Sequence, residues 1–130
     1  MAIVSAHSFG FEAEKTYGYS QSYRVGDTVH VSGQLAWDAD GNFVEGTFAD
    51  QVERTFANID RVLAHYGAGR EQIVQDFTVV VDLPTWFGEF SALHVAYYGD
   101  HRPASTICGV VALAFPGQLV EINAVLALGA

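Results

Sequence analysis

The chain has 130 residues, half of them hydrophobic and 13% aromatic, with 6 basic against 15 acidic residues and a formal net charge of −9. That size suits one domain over residues 1–130, burying about 65–70% of its unfolded surface, and the composition is far from that of a disordered chain. The charge argues against phosphate-backbone binding, which needs clustered Lys and Arg, and equally against an anionic membrane surface, while the single Cys108 rules out an internal disulfide.

Residues 1–7 contain no basic leader followed by an apolar run, so no signal peptide is expected. No apolar stretch approaches the ~20 residues of a membrane span. The cytoplasm is the expected address.

Residues 17–23, rich in Tyr and Ser, predict an extended strand. A turn over 24–27 follows, with Gly26 and Asp27 as turn formers. Residues 28–35 alternate, with Val29, Val31, Gly33 and Leu35 on one face, so the two runs predict a hairpin. Residues 38–42 are a second turn, and Phe43-Val44 a short strand.

The spacing then predicts a helix. Thr47 with Asp50 forms a capping pair, and Val52, Phe56, Ile59, Leu63 and Tyr66 share one stripe before Gly67 and Gly69 end it. The β-branched run over 76–82 predicts a strand. Pro84 suits the first turn of a second helix over 85–98, with Phe87, Phe90, Leu93, His94 and Tyr97 inward. Residues 106–113 and 119–128 predict two apolar strands joined through Pro116-Gly117.

The order β-β-(β)-α-β-α-β-β predicts an α+β fold, a single sheet with two helices packed on one face. The other face would then be left uncovered, which predicts self-association through the sheet.

Few residues suggest chemistry. Glu121 lies in an apolar strand, and parity places it with Asn123 and Val125, opposite Val120, Ile122 and Ala124. Burial of that carboxylate raises its pKa toward the range a general acid or base needs. The alternative is an edge or interface carboxylate bonded to a backbone donor or an Arg. Tyr19, after Gly18 and beside Ser32-Gly33, either orients a small ligand or packs on the sheet. The five histidines have no metal spacing and read as ordinary surface or core residues. Cys108 reads as an inert small hydrophobe. No nucleophile elbow and no phosphate-cradling glycine loop is present, so neither metal nor nucleotide cofactor is indicated.

Residues 26–34 (Gly-Asp-Thr-Val-His-Val-Ser-Gly-Gln) resemble the first signature of the Rid, or YjgF-like, family. The run from Gln51 through Asn58-Ile59 and Val62-Leu63 to Gly67-Ala68 resembles its first helix. The run from Pro103-Ala104-Ser105-Thr106 to Leu113, then Pro116-Gly117 to Val120-Glu121-Ile122, resembles its closing signature. The similarity spans residues 17–127.

The resemblance implies a chorismate-mutase-like protomer in a homotrimer whose sheets form an inner barrel, with small-molecule clefts between subunits. It also implies cofactor-independent hydrolysis of imines or enamines. By position, Tyr19 matches a pocket tyrosine, Gly33 a backbone contact to substrate, and Glu121 the carboxylate that handles a water. Ser91 stands where the family has an asparagine. Ile107 stands at the pocket cysteine, with Cys108 one place later. Ser105 stands where imine deaminases carry an arginine that grips the substrate carboxylate. Arg102 is near in sequence but has the opposite strand parity. A hydroxyl for a guanidinium fork costs about 1.5–3 kcal/mol, so ordinary 2-imino acids are expected to be poor substrates. The expected function is an imine or enamine hydrolase, or related acid–base catalyst, acting on another substrate. The alternative is a trimer that binds a small molecule without catalysis; a protein-interaction trimer is a weaker third.

Overall fold

In the computed structural model, which describes residues 3–130, the chain runs β1 (Val4–His7), α1 (Glu12–Tyr17), β2 (Ser22–Val25), β3 (Thr28–Gln34), α2 (Phe48–His65), β4 (Ile73–Val81), α3 (Leu83–Tyr98), β5 (Ala104–Val110) and β6 (Val120–Ala127). Met1 and Ala2, part of the stretch expected to carry no leader, lie outside the described residues. No helix among the described residues is long and apolar enough to cross a membrane.

The strands form one six-stranded sheet in the order β1-β2-β3-β6-β4-β5. Every pairing is antiparallel except β4 with β5, which α3 joins as a parallel crossover. The two long helices, α2 and α3, share one core with the sheet, in which Val29, Val31, Ile73, Val80, Val120 and Ile122 meet Val52, Ile59 and Val62 of α2 and Phe90 of α3. α2 starts where its cap predicts: Thr47 Oγ1 accepts from the Asp50 N–H at 3.1 Å, and Asp50 Oδ2 accepts from the Thr47 N–H at 3.1 Å. α3 follows Asp82, which turns the chain out of β4 at φ 59°.

Parity in β6 is as predicted: Val120, Ile122, Ala124 and Leu126 are buried under the helices, and Glu121, Asn123 and Val125 face away. Val79 and Phe77 pair with Glu121 and Asn123, so they share that outer face. Cys108 and Val110 continue it on β5. Phe77, Val79, Cys108 and Val110 are only half-buried in the protomer.

Several expectations need correction. Residues 17–21 are not strand, and only Ser22 and Tyr23 of the expected run are. Tyr17 ends α1, Gly18 terminates that helix at φ +74°, and the strand begins at Ser22. β1, which pairs with β2, was not predicted. β5 stops at Val110 rather than running to 113, because Val111 leaves the sheet and is almost fully exposed. Phe87 is not buried: it is 52% exposed at the rim of the cavity between α3 and β5, while Phe90, Tyr97 and Tyr98 carry the buried face.

The alternation in β3 also breaks. Val31 pairs with Ala124 but Gln34 with Ile122, so β3 contains one extra residue between them. This bulge reverses the parity that would have put Gly33 and Leu35 beside Val29 and Val31. Gln34 now points to the helix side, fully buried, and Gly33 and Leu35 turn toward Glu121. Leu35, Phe11 and Trp37 form a small second core with Phe9, Phe43 and Phe115. Trp37 and Phe43 make an isolated bridge rather than a strand.

Candidate functional site

The bulge makes a pocket out of a strand. Gly33 approaches Glu121 so closely that a Cβ there would lie 2.5 Å from Oε2 and 2.9 Å from Cγ of the glutamate. Only glycine leaves that carboxylate its place. Glu121, Gly33, Tyr19, Tyr17, Trp37 and Phe115 line a cavity of about 280 Å³. Burial pushes the Glu121 carboxyl above its ordinary 4.5, with a hydrogen bond from Gln118 opposing the shift. Burial also raises the Tyr19 hydroxyl; Glu14 and Glu121 act in the same direction, and a bond with Gln21 opposes them.

A buried polar chain sets Tyr19. The Tyr19 N–H donates to Glu14 O at 3.1 Å. The Glu14 carboxylate accepts the N–H groups of Phe9, Gly10 and Phe11 at 2.8, 3.0 and 2.9 Å, and the Ser8 hydroxyl. Burial works against that carboxylate, yet these donors hold it below its ordinary value. Gln21 Nε2 donates to it at 2.8 Å, and Gln34 Nε2 donates to Gln21 Oε1 at 2.8 Å. Gln34 is inward because of the same bulge. One backbone irregularity therefore anchors the Tyr19 loop and clears the space before Glu121.

Ser91, Ser105 and Ile107 lie elsewhere, in a cavity of about 220 Å³ between α3 and β5. The two cavities share no lining residue. Within one protomer the six residues named from sequence thus form two groups of three. Ser91 Oγ donates to Phe87 O at 2.7 Å, one turn back along its own helix. Ser105 is exposed, and Ile107 sits opposite Thr78 of β4. Cys108, by strand parity, faces the other side of the sheet. Arg102 lines neither cavity; its guanidinium donates to the carbonyls of Gly99 and His101, the latter at 2.9 Å.

The second cavity has a polar floor that the sequence did not reveal. Asp76 of β4 is opposite Ser105 in register, and its side chain has no exposed surface. Its Oδ2 meets His94 Nε2 at 2.7 Å and accepts the Tyr98 hydroxyl at 2.8 Å. Ser105 Oγ is 3.4 Å from the same His94 nitrogen. Asp76 Oδ1 is buried without a hydrogen-bond partner. Burial alone would raise this carboxyl, but His94, Ser105 and Tyr98 outweigh it and hold Asp76 below its ordinary 3.8. An ionised Asp76 accepts only, so His94 Nε2 carries the proton. Desolvation and the neighbouring Asp76 push the Tyr98 hydroxyl far up. His94, expected to be an ordinary histidine, is the missed residue. Its partner lies 18 positions away, so no local spacing betrays the pair.

Among the described residues no group of three His, Cys, Asp or Glu side chains could hold a metal ion.

The profile described as Endoribonuclease L-PSP matches residues 12–128. A RutC family protein of Aquifex aeolicus is 33% identical over 111 residues, covering 82% of this chain and 87% of that one. A 2-iminobutanoate/2-iminopropanoate deaminase of Rattus norvegicus is 29% identical over 112 residues, covering 85% and 80%. Among solved structures, a Mycobacterium tuberculosis member of the YjgF/YER057c/UK114 family superposes with a TM-score of 0.85 at 30% identity, covering 96% of this chain and 99% of that one.

Proposed function

Because the chain belongs to the endoribonuclease L-PSP family, the YjgF-like or Rid group, we propose that it is a cofactor-independent imine or enamine hydrolase whose substrate is not an ordinary 2-imino acid. The deaminase relative supports the reaction class. The observation that carries the reading is the half-buried Glu121 carboxylate with no cation in its cavity, in contact range of the space Gly33 leaves open.

The chemistry is short. A water adds to the C=N carbon of the substrate; Glu121 accepts the water's proton as the C–O bond forms. Glu121 returns that proton to the nitrogen, giving a carbinolamine; it then takes the proton of the new hydroxyl and passes it to the amine nitrogen as the C–N bond breaks, so ammonia leaves and the carbonyl forms. A carboxylate with a raised pKa suits both the uptake and the return of that proton. Tyr19 and the Gly33 backbone orient the substrate, and Ser105, Ser91 and Ile107 contact its other end.

Those two groups occupy separate cavities in one protomer, so a single site needs two protomers. We assign a homotrimer in which the Glu121 cavity of one subunit faces the Ser105 cavity of the next. The half-buried Phe77, Val79, Cys108 and Val110 face supports such an assembly. We place the protein in the cytoplasm. Ammonia release from freshly generated imines tests the activity. Glu121→Gln is expected to lower it by about 100-fold or more; unchanged turnover discards the role of Glu121. Tight metabolite binding with no ammonia release from any imine would favour a non-catalytic binding trimer, which the missing cation at Ser105 supports.

A further inference from the structure

The α3–β5 cavity is apolar on most of its wall, with Phe87, Phe90, Val95 and Ile107, and polar at one pole. That pole consists of Asp76, His94 and Ser105. Asp76 is the one Asp, Glu, Lys or Arg side chain in the lining, and Glu121 is the one in the Tyr19–Gly33 cavity. Each half of the proposed cleft therefore has a carboxylate in or just behind its wall, and neither is lined by Lys or Arg. The whole chain carries −9 besides. A ligand carboxylate brought here would lose its water, meet no Lys or Arg and lie near the negative charge of Asp76.

We propose that Asp76, His94 and Ser105 form a specificity subsite that accepts a cationic or N–H-donating group, an ammonium or an amide, and rejects a carboxylate. The inference rests on the two-protomer cleft proposed above and names the substrate class for it. Ser105 Oγ, exposed at the rim, accepts the ligand's N–H directly. The partly exposed His94 ring lines the pocket beside it. Asp76 is buried behind them and acts as a fixed charge through His94, which makes it a positioning residue rather than one that touches the ligand. The Asp76–Tyr98 bond keeps that charge in place. A residue that merely stabilised the fold would not discriminate between ligands of different charge.

The test uses three probes with one apolar body: phenethylamine, phenylacetamide and phenylacetate. Each is titrated into the full-length protein at neutral pH and followed by the amide NMR signals of Ser91, Ser105 and Ile107. The amine and the amide are expected to bind at least ~10-fold more tightly than the acid. Removing one partner of a buried pair risks the fold, so the pair is replaced together, Asp76→Thr with His94→Phe, which leaves no unpaired charge. In that variant the preference for amine over acid is expected to fall below about threefold. Ser105→Arg is expected to reverse it. Phenylacetate binding as well as the amine to the wild type, or an unchanged ratio in the double variant, overturns the proposal. Binding is read here without turnover. A deaminase reading that fails in the ammonia assay therefore leaves this ranking intact, and a failed ranking leaves that activity intact.

Discussion

Glu121 and Asp76 are both carboxylates withdrawn from water, and the protein treats them in opposite ways. Glu121 lies on the outer face with no cation and one weak partner, and its pKa is raised. Asp76 lies on the helix face, more completely buried, yet its pKa is lowered by His94, Ser105 and Tyr98. Depth does not decide the charge state; the donors that meet the carboxylate do. One site is thereby equipped to exchange a proton, and the other to hold a constant charge.

Stability separates the two most strongly. His94→Ala would leave Asp76 buried with only the Tyr98 hydroxyl, and it would open a gap beside Phe90 and Tyr98. Loss of one partner of a buried pair costs about 3–5 kcal/mol. Because the His94 side chain is 19% exposed, the lower end, about 3 kcal/mol, is expected. Glu121→Ala removes a carboxylate that nothing neutralises and should cost under about 1 kcal/mol. Urea midpoints of the two variants check this directly. Equal losses would mean that Asp76 is not held by its partners.

The pH dependence of folding carries the same contrast. Asp76 has a folded pKa below its unfolded value, so its contribution is complete above the unfolded value and is lost as pH falls through the folded one. Acid should therefore destabilise the wild type, and the acid slope should flatten when Asp76 and His94 are replaced together. Equilibrium unfolding at a series of pH values between neutral and strongly acid measures that slope. An identical slope in the double variant would remove Asp76 from the acid transition.

Gly33 sharpens the comparison on the other side. Its missing Cβ is the space the Glu121 carboxylate occupies. Gly33→Ala should push that flexible carboxylate aside at a cost to folding below about 1 kcal/mol. Activity that depends on its position should fall by about tenfold or more. Ammonia release and thermal melting, measured on one preparation, distinguish displacement from unfolding. Full activity in this variant would mean that Glu121 works from some other position.

How much of this could be seen in the sequence follows from the range of each interaction. The capping pair Thr47–Asp50, the stripe of α2 and the alternation of β6 are local patterns, and they fold as expected. The single sheet with both helices on one face follows from element order, and the YjgF-like neighbours share it. Besides β1, three features escaped. The strand assigned to residues 17–23 starts only at Ser22, after a helix end and a turn, because a short Tyr- and Ser-rich run has no decisive period and Gly18 ends a helix as readily as it joins a strand. The β3 bulge is invisible because alternation presumes that no residue is extra, and it inverts the facing of Gly33 and Leu35. The Asp76–His94 pair joins β4 to α3 through tertiary packing alone. The site residues Tyr19, Gly33, Glu121, Ser91, Ser105 and Ile107 were named from sequence, but their division between two cavities needed the fold.

The smallest expected effect bears on the price of keeping Glu121. Its folded pKa lies above its ordinary 4.5, so ionisation favours the unfolded chain. The penalty is absent below the unfolded value, grows as pH rises through the folded one, and is constant above it. Glu121→Gln keeps the shape and removes the charge. It should therefore melt a few degrees at most above the wild type at alkaline pH, with no difference below the unfolded value. A variant that turns over substrate poorly yet is more stable only where Glu121 would be ionised would have the signature of a site kept for chemistry. A pH-independent difference of either sign would assign Glu121 to packing, and the contrast with Asp76 would then be one of location alone.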